Sequence, residues 1–137
     1  MSRSADPLAE LFAAAKAAQA NAYAPYSRFK VGAALRTPSG AIHSGANVEN
    51  AAFPEGVCAE TSAISAMARA GERRVVEICI IGDGPALCVP CGGCRQRIRE
   101  FADDGTIVHI AGPEGVRATF RFAVLLPESF GPGHMKV

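Results

Sequence analysis

The sequence predicts an α/β layered domain with a mixed sheet. Three observations lead there: apolar residues at helical spacing over 7–21 and 58–70, short apolar runs bounded by Gly and Pro, and strand–helix–strand–helix–strand order after an opening hairpin. Asp6-Pro7 opens the first helix, in which Leu8, Leu11, Phe12 and Ala15 share one face. Tyr23-Ala24-Pro25-Tyr26-Ser27 breaks it. Phe29–Thr37 and Ala41–Val48 read as two strands joined by Pro38-Ser39-Gly40, a hairpin signal. A loop over 50–57 leads to a second helix over about 58–70, with Ala59, Ala63, Ile64, Met67 and Ala70 turned inward and Gly71 as its stop. Val75–Gly82 is a buried strand. The third helix spans about 91–102, with Cys94, Ile98 and Phe101 on one side. Thr106–Ala111 and Val116–Phe120 add two strands, and a short helix over 121–126 closes the pattern.

The chain has 137 residues, which suits one domain over 1–137. Fourteen Lys and Arg face thirteen Asp and Glu, so no surplus charge is present to hold a nucleic-acid backbone or an anionic membrane. With 7% aromatics and no Trp, a row of base-stacking platforms is not expected either. The longest strongly apolar stretch, Val75 to Ile81, contains Glu77 and is too short to span a bilayer. Residues 8–20 are Ala-rich but interrupted by Glu10 and Lys16, unlike an export signal, so a cytoplasmic, reducing setting is expected. The five cysteines are an odd number, which excludes a framework of disulfides alone.

Three of those cysteines have ligand spacing. Cys91-Gly92-Gly93-Cys94 puts two thiols three residues apart in the first turn of a helix, with Pro90 just before it. Cys58 opens the second helix in the same way. Two helix N-termini aimed at one point favour thiolates over thiols. Three thiolates leave one position of a tetrahedral zinc ion open to water, which is the catalytic and not the closed structural pattern. Glu60 stands two residues after Cys58, where a carboxylate can take a proton from that water and hand it on.

At this point the motifs are recognisable. C-A-E at 58–60 with P-C-G-G-C-R-Q at 90–96 resembles the cytidine deaminase family, in the three-cysteine form of its small homotetrameric branch. A-P-Y-S-R-F-K-V-G-A-A-L at 24–35, N-V-E-N-A-A-F-P-E-G-V-C-A-E at 47–60 and L-L-P-E-S-F-G-P at 125–132 are similar to the same family, in the same order. The resemblance implies a three-layer cytidine deaminase-like fold, with a five-stranded mixed sheet flanked by helices. It implies one Zn²⁺ per subunit held by Cys58, Cys91 and Cys94, with Glu60 as the proton shuttle. It further implies that Asn47 and Glu49 read the ribose 3′-hydroxyl and Phe29 lies on the pyrimidine face. The backbone at Ala59 would hold the base, and Phe130 would close the pocket of a neighbouring subunit in a homotetramer. The implied substrates are cytidine and 2′-deoxycytidine, hydrolysed to uridine and 2′-deoxyuridine in pyrimidine salvage.

Two positions depart from the family's pattern. Thr61 stands where three-cysteine relatives often carry an arginine that offsets thiolate charge, a task then left to the helix N-termini with Arg95 as a candidate. Phe53 stands where some relatives have tyrosine. Cys79 reads as a core residue, and Cys88 as a filler beside the cluster. Two other functions remain open on the residues alone. A closed zinc module would use Cys88 as fourth ligand, and a thiol-redox pair would use Cys91 and Cys94 with no metal. Within the deaminases, a nucleoside-antibiotic enzyme is a further alternative.

Overall fold

A computed structural model describes residues 6–135. Helix α1 (Pro7–Ala20) leads to strands β1 (Val31–Arg36) and β2 (Ile42–Ala46), then a single 3₁₀ turn at Phe53–Glu55 and helix α2 (Ala59–Arg69). Strand β3 (Glu77–Gly82), helix α3 (Gly92–Phe101) and strand β4 (Ile107–Gly112) follow, and β5 (Gly115–Arg121) with the one-turn α4 (Phe122–Leu125) completes the layers. The sheet order is β2-β1-β3-β4-β5, antiparallel throughout except for the parallel β3–β4 pair that α3 connects. The expected five-stranded mixed sheet is therefore present, and the expected elements lie within a few residues of their predicted bounds.

Pleating explains the three layers. Ala33, Leu35, Ile78, Ile80, Val108 and Ile110 face α2, α3 and α4. Their neighbours Ala34, Cys79, Ile81 and Ala111 face Leu11 and Ala15 of α1. Both contacts are unusually close. A Cβ on Gly32 would lie 2.1 Å from the Ala15 carbonyl oxygen, and one on Gly45 would lie 2.5 Å from the Ala63 nitrogen. Glycine thus lets α1 settle on β1 and α2 on β2.

The helix faces differ slightly from expectation. On α1 the buried stripe is Leu11, Ala15 and Gln19, while Leu8 and Phe12 are only half-buried. Gln19 is accommodated because its amide donates to the Lys30 carbonyl at 3.0 Å and to Asp83 at 3.1 Å. Ala70 is exposed, because it caps α2 as the chain turns away. Gly71, at φ 90°, completes that turn: its N–H reaches the Ala68 carbonyl and the Glu72 N–H reaches Met67, a Schellman closure.

Next to α1 the sheet holds a polar chain. The Arg36 guanidinium donates to Glu77 at 3.0 Å, and the other Glu77 oxygen meets buried His109 at 3.0 Å. Thr119 lies 3.0 Å from the second ring nitrogen. Partial burial raises the Glu77 carboxyl, but His109 and Arg36 outweigh it and hold the group below its ordinary range. A carboxyl lowered by folding contributes stability above its unfolded pKa, and that contribution is lost as pH falls through the folded value. Glu77→Gln is therefore expected to lower Tm at neutral pH, with the gap to wild type closing below about pH 4. Thermal melts across that range check it; a gap independent of pH would contradict it.

Candidate active site

Two helix starts meet at one point. Cys58 is the extended residue before α2 and Cys91 the extended residue before α3, while Cys94 occupies the third position of α3. The first N–H groups of each helix have no intrahelical acceptor, so both ends present partial positive charge to the sulfurs. The three sulfurs lie within 4.8 Å of one another, with Cys94 buried, Cys58 half-buried and Cys91 exposed. That donor set, three soft sulfurs around one point, fits zinc. The Cys94 backbone N–H foremost holds the Cys91 thiol below its ordinary value, whereas burial pushes Cys58 and Cys94 up. The remaining two cysteines lie outside the cluster. Cys79 is fully buried with its thiol pushed up to about 12, as a core residue should be. Cys88 packs half-buried against the α2–α3 core, its thiol pushed up to about 11 by burial.

Glu60 is the second residue of α2 and only 4% exposed. Burial, the largest influence on it, pushes its carboxyl above the usual carboxylate range. With Cys58, Ala59, Cys88 and Cys91 it lines a cleft of about 300 Å³. Asn47, Val48 and Glu49 form the opposite wall. Asn47 and Glu49 lie just past β2, not within it. Val48 between them is held by single bridges to Tyr23 and Val57, which keeps the segment extended and turns its two polar neighbours to one side.

Both of those side chains are bound to the α1–β1 loop. The Asn47 amide donates to the Phe29 carbonyl at 2.9 Å and its oxygen accepts the Val31 N–H at 2.9 Å. Glu49 accepts the N–H groups of Tyr26 and Ser27 at 2.9 and 3.1 Å, and the Ser27 hydroxyl at its second oxygen. These bonds, the Ser27 hydroxyl first, hold the Glu49 carboxyl below its usual range. Each side chain keeps spare capacity: one amide hydrogen and one lone pair on Asn47, about one lone-pair site on Glu49.

The two aromatic candidates are placed differently. Phe29 is 41% exposed and does not itself line the cleft; its ring and Cys88, which does, fill the notch left by Gly82, where a Cβ would lie 3.1 and 2.7 Å from them. Phe130 is 57% exposed, stacks on His134 at 5.0 Å, and does not line the cleft of its own chain. Gln96 holds the Phe130 carbonyl at 2.9 Å, and half-buried Arg99 donates to Ser129 at 2.8 Å.

Arg95, the candidate for offsetting thiolate charge, is held by two backbone carbonyls. Its guanidinium donates to the Pro90 carbonyl at 2.8 Å and the Leu125 carbonyl at 2.6 Å, tying the start of α3 to α4. The Thr61 hydroxyl lies 4.0 Å from Cys94 Sγ. Sequence reasoning also passed over Ser27, Tyr26 and the valines of the cleft. The signal for Ser27 was local: a serine two residues before an aromatic can accept that residue's N–H, as Ser27 does from Phe29 at 3.0 Å.

Known proteins share this fold. The profile of the cytidine and deoxycytidylate deaminase zinc-binding region matches residues 6–110. A cytidine deaminase of Sporosarcina psychrophila is 37% identical over 121 residues, covering 88% of this chain and 89% of that protein. One from Mycobacterium tuberculosis is 38% identical over 116 residues, covering 83% and 82%. The crystal structure of cytidine deaminase from Burkholderia pseudomallei superposes with a TM-score of 0.83 at 40% identity, over 89% of this chain and 98% of that one. The cysteine cluster lies inside the matched region, so the cofactor is one Zn²⁺ per chain. On its sequence, its fold and this cluster, the chain belongs to the cytidine and deoxycytidylate deaminase zinc-binding family.

Proposed function

We propose that this protein hydrolyses cytidine to uridine and ammonia, with 2′-deoxycytidine as a second substrate, in pyrimidine salvage. The observation that supports this most is the buried Glu60 in one cleft with the three-sulfur cluster and the Asn47–Glu49 pair. Cys58, Cys91 and Cys94 would hold the zinc, which when bound supplies the Lewis acidity that makes water a nucleophile near neutral pH.

The remaining work falls to side chains and backbone. Asn47 and Glu49 use their spare hydrogen-bonding capacity on the sugar 3′-hydroxyl and so set the base into the cleft. Phe29 covers the pyrimidine face, and the backbone around Ala59 holds the carbonyl and exocyclic amine. Glu60 takes the proton of the attacking water and delivers it to N3 as the water oxygen bonds to C4. The second water proton then passes through Glu60 to the amine, the C4–N4 bond breaks, and ammonia leaves. Burial favours this role because it raises the carboxyl towards the range where it both accepts and donates a proton.

The cleft carries no surplus positive charge, which suits a neutral nucleoside. Residues 1–137 act as one domain in a cytoplasmic homotetramer, in which Phe130 of one chain closes the cleft of a neighbour. Support for that assembly comes from the exposure of Phe53 and Phe130, 74% and 57%, which a monomer would leave in water. No described helix is long and apolar enough to cross a membrane. Metal analysis with an ultraviolet assay on cytidine and 2′-deoxycytidine tests the proposal: one zinc per chain with loss of the cytosine chromophore is expected. Zinc without turnover on either nucleoside would redirect the reading to an altered substrate, such as a nucleoside antibiotic.

A further inference from the structure

We infer that Ser27 is a positioning residue that couples sugar recognition to the placement of the base-covering ring. This rests on reading Asn47 and Glu49 as the sugar-binding pair. Ser27 lies between that pair and Phe29: its hydroxyl donates to the outer oxygen of Glu49 and accepts the Phe29 N–H at 3.0 Å. The Phe29 carbonyl is held from the other side by Asn47 at 2.9 Å. Both polar groups of the Phe29 peptide are thus fixed by the sugar pair, one directly and one through Ser27.

The backbone shows that this linkage is under tension. Arg28, between Ser27 and Phe29, has φ 61°, a left-handed conformation that a residue with a β-carbon adopts only when its surroundings hold it there. Its N–H reaches the Ala24 carbonyl at 3.0 Å, and bonds at Ser27 and Phe29 pin it on both sides. A single hydroxyl is needed here, since only a group that donates and accepts at once serves both Glu49 and the Phe29 N–H. Glu49, with three of about four lone-pair sites already filled, is left able to take one sugar hydroxyl in one direction.

The test compares zinc-loaded wild type, Ser27→Ala, Ser27→Thr and Glu49→Gln on cytidine and 3′-deoxycytidine, with Tm measured for each. Ser27→Ala is expected to raise KM for cytidine about tenfold with kcat within about twofold. It should also lower the preference for cytidine over 3′-deoxycytidine by about tenfold, and Ser27→Thr should restore both. Equal losses on the two substrates, or an unchanged preference, would overturn the inference by making Ser27 a loop residue only. A preference lost in Glu49→Gln but kept in Ser27→Ala overturns this inference and leaves the sugar reading standing. A preference kept in Glu49→Gln overturns that reading and this inference with it.

Discussion

Glu60→Gln is expected to lower turnover on cytidine by about 10²- to 10⁴-fold while zinc content stays at one per chain. Glutamine keeps the size of the side chain and its place on α2 but can neither take nor deliver a proton. The effect belongs on kcat, because Glu60 acts on the reacting atoms and the sugar contacts are untouched. Stability should not fall. The native carboxyl is 4% exposed and raised chiefly by desolvation, so a neutral amide removes an unfavourable burial. Kinetics, metal analysis and a melting curve on one preparation give all three readouts. A variant with full activity would return the cluster to a purely structural role.

Removing the metal should be at least as severe. Cys94→Ala takes away the buried ligand, and both bound zinc and activity are expected to disappear. Cys88→Ala is the control. Its sulfur lies outside the three-sulfur cluster, so that variant should purify with one zinc per chain. An empty Cys88→Ala protein would instead support a closed four-cysteine site. Loss of the ion also shifts stability, since binding to the native state alone contributes about 4 kcal/mol when free metal is a thousandfold above its Kd. The pH sign follows from the thiols. Burial raises Cys58 and Cys94, so protons compete for these sulfurs and zinc affinity falls as pH is lowered. Chelator competition at two pH values measures this; affinity that rises on acidification would contradict it.

Most of the layers, and each half of the metal cluster, could be read from residues close together in sequence. Cys91 and Cys94 share one helical turn, as do Cys58 and Glu60, so spacing places each pair, while the joining of the two pairs at one ion was read from the family resemblance. Gly71 announced the end of α2, and the unbroken apolar run from Ile78 to Ile81 announced a strand buried on both faces. The unread part depends on distant partners. Arg95 is bound to the carbonyl of Leu125, thirty residues on, so its charge could not be assigned from its place in the Cys91-to-Gln96 motif. Glu49 and Ser27 are 22 residues apart and meet in an exposed loop, where no periodicity marks the pairing. Asn47 looked like part of β2 because alternation continues through it, yet ladder pairing stops at Ala46 and two isolated bridges at Val48 take over.

The placement of the three sulfurs also bears on how the chain folds. Cys58 stands on α2, which settles on the β1–β2 hairpin, and Cys91 and Cys94 stand on α3, inside the β3–α3–β4 crossover. Each of these units can assemble from nearby contacts. The pairing of β1 with β3 joins the two units, and with them the sulfurs. If the seam closes last, an ion bound across it is expected to slow unfolding without hastening folding, which unfolding rates of zinc-loaded and zinc-free protein would check. The metal that serves the chemistry then also acts as a late latch, setting how long a folded chain lasts.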